Sequence, residues 1–449
     1  MMKHNDNRLL LWIIPLFIMG WGIFSLLFFD TFYSRAVDPE YPYLINGLNV
    51  SMLKFKMIGH FDHPGTPFQI FCGIIIRITH LLTGKGSLAQ DVFNRPDYYL
   101  SAISLSLTVL QSALTLIVGT TGRQSKLKTS QLILLQAGIL FNFLMLELFF
   151  RVIPERWLVV TALLFVICYL RYGYKDSRPM KFALWSGVVM GMGMATKFNF
   201  LPVLFLPFLL MPTAKTRLIY AGTTLLSFFV FIAPILSKFK EFYRFISAIA
   251  THDGIYGQGK EQMFNFAVMK ENIGHVIHTA PELSILLMLI VAAVIIGFVY
   301  RKRGQLTHSP FLFAGIILII ALQLLMVSKH YKNTYLVPLF SFYSLFLFLS
   351  DDFFSKLFRQ SERYIFIATL STCIFFVGIT LKRTIDVMPD LSNQKAKREE
   401  LRQYVSQNLS DSTLWFTEPS WESAPYVENG IVYGISYCGR RTFYREELF

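Results

Sequence analysis

Long apolar runs separated by short polar loops dominate the chain. The runs at 9–29, 281–300 and 310–327 carry almost no charge. Each holds about 18 to 21 residues, enough to cross roughly 30 Å of hydrocarbon as a helix. We therefore predict an all-α polytopic membrane bundle of about eleven transmembrane helices. The predicted spans are 9–29, 99–118, 131–149, 156–171, 182–197, 199–212, 218–236, 281–300, 309–327, 335–350 and 364–381.

The apolar run at 67–82 is treated separately because Arg77 and His80 interrupt it. If it crossed the membrane completely, the basic loop at 123–128 would face outward. We predict instead an interfacial or re-entrant helix beside the first loop.

Lysines and arginines of the short loops fall on one side of this arrangement. Such loops stay in the cytoplasm, which places the N-terminus inside and, after an odd number of crossings, the C-terminus outside. The first apolar run lacks a small-residue cleavage site, so we interpret it as a retained anchor. The predicted exterior segments are 30–98, with juxtamembrane helices, 237–280 and 382–449.

The chain becomes polar after residue 381. A helical pattern at 392–408 precedes two strand-like runs at 414–417 and 431–437. We predict a transmembrane domain over 1–381 and a small exterior α/β appendage over 382–449.

Composition agrees with a membrane protein and narrows the partners. The residues are 54% hydrophobic and only 16% charged, whereas soluble domains are about a quarter charged. The net charge of +14 is spread over loops between apolar runs, so no nucleic-acid partner is predicted. Four cysteines form neither a disulfide framework nor a CxxC metal site.

The first exterior loop carries two acids near the membrane. Asp38 lies eight residues after Asp30 at the end of the first span, so its carboxylate stays close to the surface where a lipid-linked headgroup would lie. Glu40 follows two residues later. The alternative is that Asp38 caps a short juxtamembrane helix whose start is shaped by Pro39.

The same loop contains His60, Asp62 and His63. Asp62 and His63 are candidates for substrate binding. A divalent metal is the alternative ligand, although their close spacing does not define a coordination geometry. No other cofactor is predicted.

Further charged and polar side chains are predicted at the exterior helix ends. Glu155 either contacts substrate or pairs with Arg151 or Arg156. Tyr256 lies in a glycine-rich exterior loop suited to ligand contact. The cations either bind a substrate phosphate or extend toward lipid phosphates. They are Lys197, Lys329, His330 and Lys332.

Together these motifs resemble the GT-C glycosyltransferase superfamily, in particular the bacterial relatives of protein O-mannosyltransferases and lipid A aminoarabinose transferases. Asp38 occupies the position of the family's catalytic acid after the first span, and Glu40 is similar to its partner. Gly65 and Thr334 stand where the family usually has proline and arginine. The other similar positions are His63-Pro64, Glu155, the stretch 191–197 that ends in Thr196-Lys197, and the stretch 335–338.

The resemblance implies a sugar donor linked to a polyprenyl phosphate, used at the exterior face of a bacterial inner membrane. Asp38 would accept the proton of an acceptor hydroxyl during inverting transfer, and one or two of the cations would stabilise the leaving phosphate. The acceptor is left open as a glycan, a lipid or a protein. The partners are therefore this donor, that acceptor and the membrane lipids.

Two other classes of membrane protein remain as alternatives. One is a ligase or polymerase of lipid-linked glycans, which typically has a large arginine-rich loop, whereas 237–280 contains only Arg244. The other is a transporter or flippase, for which an inverted repeat and midplane polar groups are expected. The sequence has no internal repeat, and Glu147 is one of few midplane candidates.

Overall fold

The computed structural model describes residues 9–35, 37–62, 64–175, 178–301, 310–358, 362–408 and 427–438. Helices account for most of these residues. The first ten are α1 (Leu10–Phe28), α2 (Phe32–Arg35), α3 (Glu40–Ser51), α4 (Thr66–Thr83), α5 (Leu88–Asn94), α6 (Pro96–Gln124), α7 (Thr129–Ala137), α8 (Phe143–Glu147), α9 (Pro154–Cys168) and α10 (Pro179–Thr196). The others are α11 (Phe205–Leu210), α12 (Ala214–Ile232), α13 (Phe239–Thr251), α14 (Phe266–Thr279), α15 (Pro281–Arg301), α16 (Pro310–Lys329), α17 (Val337–Ser341), α18 (Tyr343–Leu357), α19 (Glu362–Asn408) and α20 (Val427–Ser436).

The predicted multi-pass helical architecture is confirmed. Among the described residues, nine helices are long and apolar enough to cross a membrane, or ten if the bent pair over 129–150 counts as one span. The count differs from the predicted eleven in three places. The helix at 198–210 is too short to be counted. Helix α10 is not counted either, because Lys181 and three glycines lower its hydropathy. Helix α4 is long and apolar enough to cross, although it was not predicted as a span.

Local sequence explains where several helices begin and how closely they pack. Proline occupies the first position of α6, α9, α10, α15 and α16, where its missing N–H costs nothing and its fixed φ favours the helix. Gly187 and Gly191 of α10 lie against α12, so the two backbones approach closely. Gly22 of α1 lies against Thr108 of α6 in the same way.

A second apolar cluster lies beside the main core of the bundle and joins distant parts of the chain. It contains Leu44 and Ile45 of α3, Phe68 of α4 and Val160 of α9. The short helices of the first loop are therefore not separate surface elements. They pack onto the end of the bundle and position the loops that carry Asp38 and Asp62.

The C-terminal part differs from the predicted α/β appendage. The predicted helix at 392–408 is the end of α19, which continues through residue 381 without a break. The predicted strand at 431–437 is wrong, because α20 is helical there. Its small and apolar residues recur at helical spacing, and Gly430 and Gly434 lie directly against Tyr41 of α3. The other predicted strand, 414–417, lies outside the described residues.

Candidate active site

A cavity of about 1120 Å³ opens where the first loop, the ends of α10 and α16, and the helix α13 meet. Eight of the ten predicted site residues line it: Asp38, Asp62, Glu155, Lys197, Tyr256, Lys329, His330 and Lys332. These residues come from positions nearly 300 apart in the chain, so the fold brings them together as a group. The remaining two are Glu40, which is buried and does not line the cavity, and His63, which lies outside the described residues.

Asp38 lies between α2 and α3, half-buried, at the wall of the cavity. Helix α3 begins at Glu40 with Pro39 in the N-cap position and no side-chain cap. Asp38 therefore does not cap α3, which was the structural alternative. Its charge acts on the phenol of Tyr433 from α20.

Glu40 forms a buried ion pair instead of facing the cavity. Its two carboxylate oxygens accept from Nε and an Nη of Arg151, the second over 3.0 Å. The same Nη of Arg151 also donates to the backbone oxygen of Asp38 at 3.0 Å. Glu40 thus holds the arginine that holds the backbone of Asp38.

Glu155 forms an ion pair with Lys197, not with Arg151 or Arg156 as the structural alternative supposed. Both side chains are almost fully buried yet line the cavity. The Lys197 ammonium also lies 5.0 Å from the centre of the Tyr335 ring. Arg156 points into the bundle, where it donates to Ser104 and Thr108 at 2.8 Å each.

The start of α4 is tied to the end of α10 by a glycine. Gly65 has φ of 66°, a left-handed conformation that proline cannot adopt. Its N–H donates to the backbone oxygen of Thr196 at 3.1 Å. The departure from the family's proline at this position follows from the local backbone, and the contact lies next to Lys197.

Two cations stand at the end of α16 and in the turn that follows. The Lys329 ammonium donates to the backbone oxygen of Ala250 at 2.6 Å, which connects α16 to α13. His330 lies 3.3 Å from the backbone oxygen of Ile249. Lys332 is exposed on the cavity rim and is close enough to Glu155 to influence it electrostatically.

Much of the cavity lining is apolar. The apolar residues come mainly from one face of α13 and from the last turns of α16. The residues are Leu201, Phe245, Ile246, Ile249, Met263, Phe264, Leu325, Met326 and Val327. A ligand that fills this cavity would contact both acids and cations and a hydrocarbon-like surface.

Several cavity residues were not predicted from the sequence. His60 was considered only as a metal ligand, Arg151 only as an ion-pair partner, and Tyr335 only as part of a family motif. Gln394 and Arg398 reach the cavity because α19 has 47 residues, about 70 Å of helix at 1.5 Å per residue. Tyr437 reaches it because α20 packs on α3. Only the spacing of Gly430 and Gly434 in the sequence could have indicated that packing.

For the titratable side chains near the cavity that lie outside the membrane spans, burial is the main cause of the pKa shifts. Burial, reinforced by the nearby charge of Asp38, raises the pKa of the phenols of Tyr256, Tyr433 and Tyr437. These groups remain protonated hydrogen-bond donors at neutral pH. Burial lowers the pKa of His330, so the positive charge at the cavity comes from lysine and arginine.

Within the described ranges, no three His, Cys, Asp or Glu side chains group as ligands of a metal ion. His63, which belongs to the sequence cluster considered for a metal, is not among those residues.

Comparison with known proteins agrees with this fold. The sequence model of glycosyltransferase family 87 matches residues 95–328, just over half of the chain. No curated protein matches the sequence significantly. Among solved structures, the chain is similar to the crystal structure of ArnT from Cupriavidus metallidurans bound to undecaprenyl phosphate, with a TM-score of 0.53 and 10% identity over 93% of this chain and 84% of ArnT. The chain belongs to glycosyltransferase family 87 and is a multi-pass membrane glycosyltransferase with the GT-C fold.

Proposed function

We propose that the protein transfers a sugar from a polyprenyl-phosphate donor to an acceptor hydroxyl, with inversion and with Asp38 as the general base. The observation that carries this proposal is the mixed lining of the cavity. It combines Asp38 and lysines with many apolar side chains that suit a lipid chain. A soluble nucleotide-sugar would make no use of those apolar side chains.

The similarity to ArnT supports the same donor class. That structure holds undecaprenyl phosphate, a polyprenyl phosphate without its sugar. A donor of this kind keeps its tail in the bilayer and presents the sugar at the membrane surface, where the loop with Asp38 lies.

The chemical step needs one base and stabilisation of one anion. The acceptor oxygen attacks the anomeric carbon from the face opposite the phosphate, while its proton passes to the Asp38 carboxylate. The bond between the anomeric carbon and the phosphate oxygen breaks, and the electron pair leaves with the polyprenyl phosphate. Phosphate is a weak base, so it requires positive charge rather than a general acid. This step requires no nucleotide or redox cofactor.

The cavity cations divide into two groups by their partners. Lys197 is neutralised by Glu155, and Arg151 by Glu40, so both pairs act mainly by fixing the cavity wall. Lys329 and Lys332 line the same cavity, and no ion pair with a carboxylate is found for either among the described residues. We assign these two lysines to the donor phosphate. Asp62, Tyr256 and His330 are left to contact the sugar or the acceptor.

The proposal also includes the side of the membrane on which the cavity opens. The distribution of basic loops favours a cavity on the exterior side, which in a bacterium is the outer surface of the inner membrane. The acceptor is then a glycan, lipid or protein of the cell envelope.

Transfer can be measured with purified protein in nanodiscs, a panel of radiolabelled polyprenyl-phosphate sugars and a membrane extract as acceptor. We expect label to leave one donor with the wild-type chain. Asp38→Asn should lower the rate by at least about a hundredfold, because a positioned base contributes this much, with unchanged melting behaviour. Asp386→Asn, an exposed acid of α19 outside the cavity, serves as the matched control.

Two results would contradict the proposal. Wild-type activity in Asp38→Asn would show that Asp38 is not the general base. If the folded wild-type protein releases label from no polyprenyl-phosphate donor, donors of this class are excluded. A flipping assay for lipid transport would then be the next measurement.

A further inference from the structure

The C-terminal helix α20 packs against the elements on both sides of the loop that carries Asp38. It contacts α2, which precedes that residue, and α3, which follows it. Ile431 and Ile435 are buried in the apolar cluster of the first-loop helices, and Gly434 lies against Tyr41 of α3. A segment from the far end of the chain therefore lies next to the proposed active site.

The residues that follow α20 are fixed to the first loop by their backbone. The backbone oxygen of Tyr437 accepts from Asn46 Nδ2 at 3.4 Å. The Oδ1 of the same buried amide accepts the N–H of Gly59 at 3.0 Å. Cys438 pairs with Ile58 in a short antiparallel bridge. One amide of α3 thus ties the end of α20 to the stretch of the first loop that leads into the cavity.

This arrangement places an aromatic side chain in the cavity wall beside that stretch. The ring of Tyr437 lies 5.1 Å from the ring of His60, which also lies 5.1 Å from the ring of Tyr43. The backbone oxygen of His60 accepts from Gln69 Nε2 at 2.9 Å. His60 is buried, whereas Tyr437 is half-buried, and both line the cavity together with Asp62. The Tyr437 ring is therefore held in place and still reaches the cavity.

We propose that Tyr437 is a sugar-binding residue: its ring, held by His60, packs against the sugar of the donor, while Asp62 accepts hydrogen bonds from the sugar hydroxyls. This inference rests on the proposed polyprenyl-phosphate-sugar donor. One face of a sugar ring presents C–H groups, which pack well on the negative face of an aromatic ring. An ionised carboxylate only accepts hydrogen bonds, and hydroxyl groups donate them.

Other aromatic side chains of the cavity lie in surroundings that suit a sugar less well. The ring of Phe245 is 6.1 Å from that of Tyr256 and belongs to the helix α13, which supplies aliphatic residues to the lining. The Tyr335 ring is 5.0 Å from the ammonium of Lys197, so a cation already lies near it. Tyr437 adjoins the loop that provides both first-loop acids of the cavity.

The test compares a donor that carries a sugar with the same polyprenyl phosphate without one. Full-length Tyr437→Ala in nanodiscs should raise the KM of the donor identified above about three- to tenfold, because one aromatic contact is lost. The inhibition constant of the sugar-free polyprenyl phosphate should stay unchanged, since this lipid has no sugar to contact the ring. This difference separates a contact with the sugar from a general disturbance of the cavity.

Two further variants serve as controls. Tyr437→Phe keeps the ring and should keep the wild-type KM for the donor. Val432→Ala alters an exposed side chain of α20 that does not line the cavity, and it should change neither constant. Melting temperatures of all variants show whether the helix stays seated.

Several results would overturn the inference. An unchanged donor KM in Tyr437→Ala would show that the ring does not bind the sugar. An equal loss of affinity for the lipid with and without its sugar would assign the residue to the cavity structure. A rise in KM for the acceptor alone would place the acceptor at the ring. A loss in Tyr437→Phe as large as in Tyr437→Ala would show that the hydroxyl matters and not the ring.

Failure of the inference differs from failure of the proposed function. If the wild type transfers sugar and Asp38→Asn does not, while Tyr437→Ala keeps the wild-type donor KM, only the inference is wrong. If the folded wild type uses no polyprenyl-phosphate donor, the proposed donor class is wrong and the inference falls with it.

Discussion

At the scale of single residues, the cavity wall is organised by two buried ion pairs. Glu40 with Arg151 and Glu155 with Lys197 each place an acid from one segment against a cation from another. Paired and hydrogen-bonded charges tolerate burial, whereas a single charge left behind does not. The pairs therefore fix the geometry around Asp38, and a substitution that removes one partner should destabilise the protein.

Glu40→Gln should destabilise the protein by about 3 kcal/mol, because Arg151 keeps its charge in a mostly buried site without a counter-charge. The measurement is thermal unfolding in detergent. The double variant Glu40→Gln, Arg151→Gln should recover part of the loss, since it removes both charges. A single variant as stable as the wild type would show that the pair does not hold the wall.

Lys332→Ala and Lys329→Ala should each raise the donor KM about tenfold, because each removes one charge-assisted contact to phosphate. Lys260→Ala is the matched control, since Lys260 is an exposed lysine of the neighbouring loop that does not line the cavity. Steady-state kinetics against the identified donor measures the effect. An unchanged KM in either variant would remove that lysine from the donor site.

At the scale of elements, the sequence predicted helices well where one apolar run makes one span. The prediction was wrong where contacts with distant segments determine the local conformation or the ion-pair partner. The β-branched residues of 431–437 suggested a strand, but two glycines at helical spacing seat the segment on Tyr41. The alternative ion pair of Glu155 with Arg151 or Arg156 is also absent, because Glu155 pairs with Lys197. Nothing in the local sequence indicates that Lys197 packs against it. The loop that carries Asp38 was recognisable as a candidate site because acids, histidines and prolines concentrate there, directly after the first span.

Gly65→Ala should destabilise the protein by about 1 kcal/mol, because a side chain is disfavoured at the positive φ that starts α4. Gly65→Pro should cost more, since it also removes the N–H bonded to Thr196. Gly20→Ala, with nothing near its added methyl group, should leave the melting temperature unchanged or raise it. Equal melting temperatures for all variants would mean that this junction contributes no stability.

At the scale of the whole molecule, hydrogen bonds show at which end of the bundle each helix begins and ends, and so which helices run from one end to the other. Phe32 N–H, just after α1, donates to Asp97 at the start of α6 over 3.1 Å. Arg95 donates to the backbone oxygen of Thr83 at the end of α4 over 3.1 Å. The start of α4 lies beside Thr196, also on the cavity side. Both ends of α4 therefore lie on one side.

The opposite end of the bundle is marked by other contacts. Tyr174 donates to Asp352 at 2.7 Å, and Lys175 donates to the backbone oxygen of Ser125 at 3.2 Å. Helix α6 thus runs from the cavity side to this end. Since α20 packs on α3 at the cavity side, we expect an odd number of crossings between the start of α1 and α20.

We therefore expect α4 to lie along the membrane surface in spite of its apolar composition, and the other helices to make eleven crossings. Single cysteines at Lys85, Gln124 and Lys397, all exposed positions, test this in intact cells with a membrane-impermeant maleimide. Lys85 and Lys397 should react alike and Gln124 oppositely, with the unsubstituted chain as control. If α4 crosses instead, Gln124 will react like Lys397 and Lys85 will not. Because the comparison is relative, it decides the path of α4 whichever face the cavity opens on, and labelling at Lys397 then identifies that face.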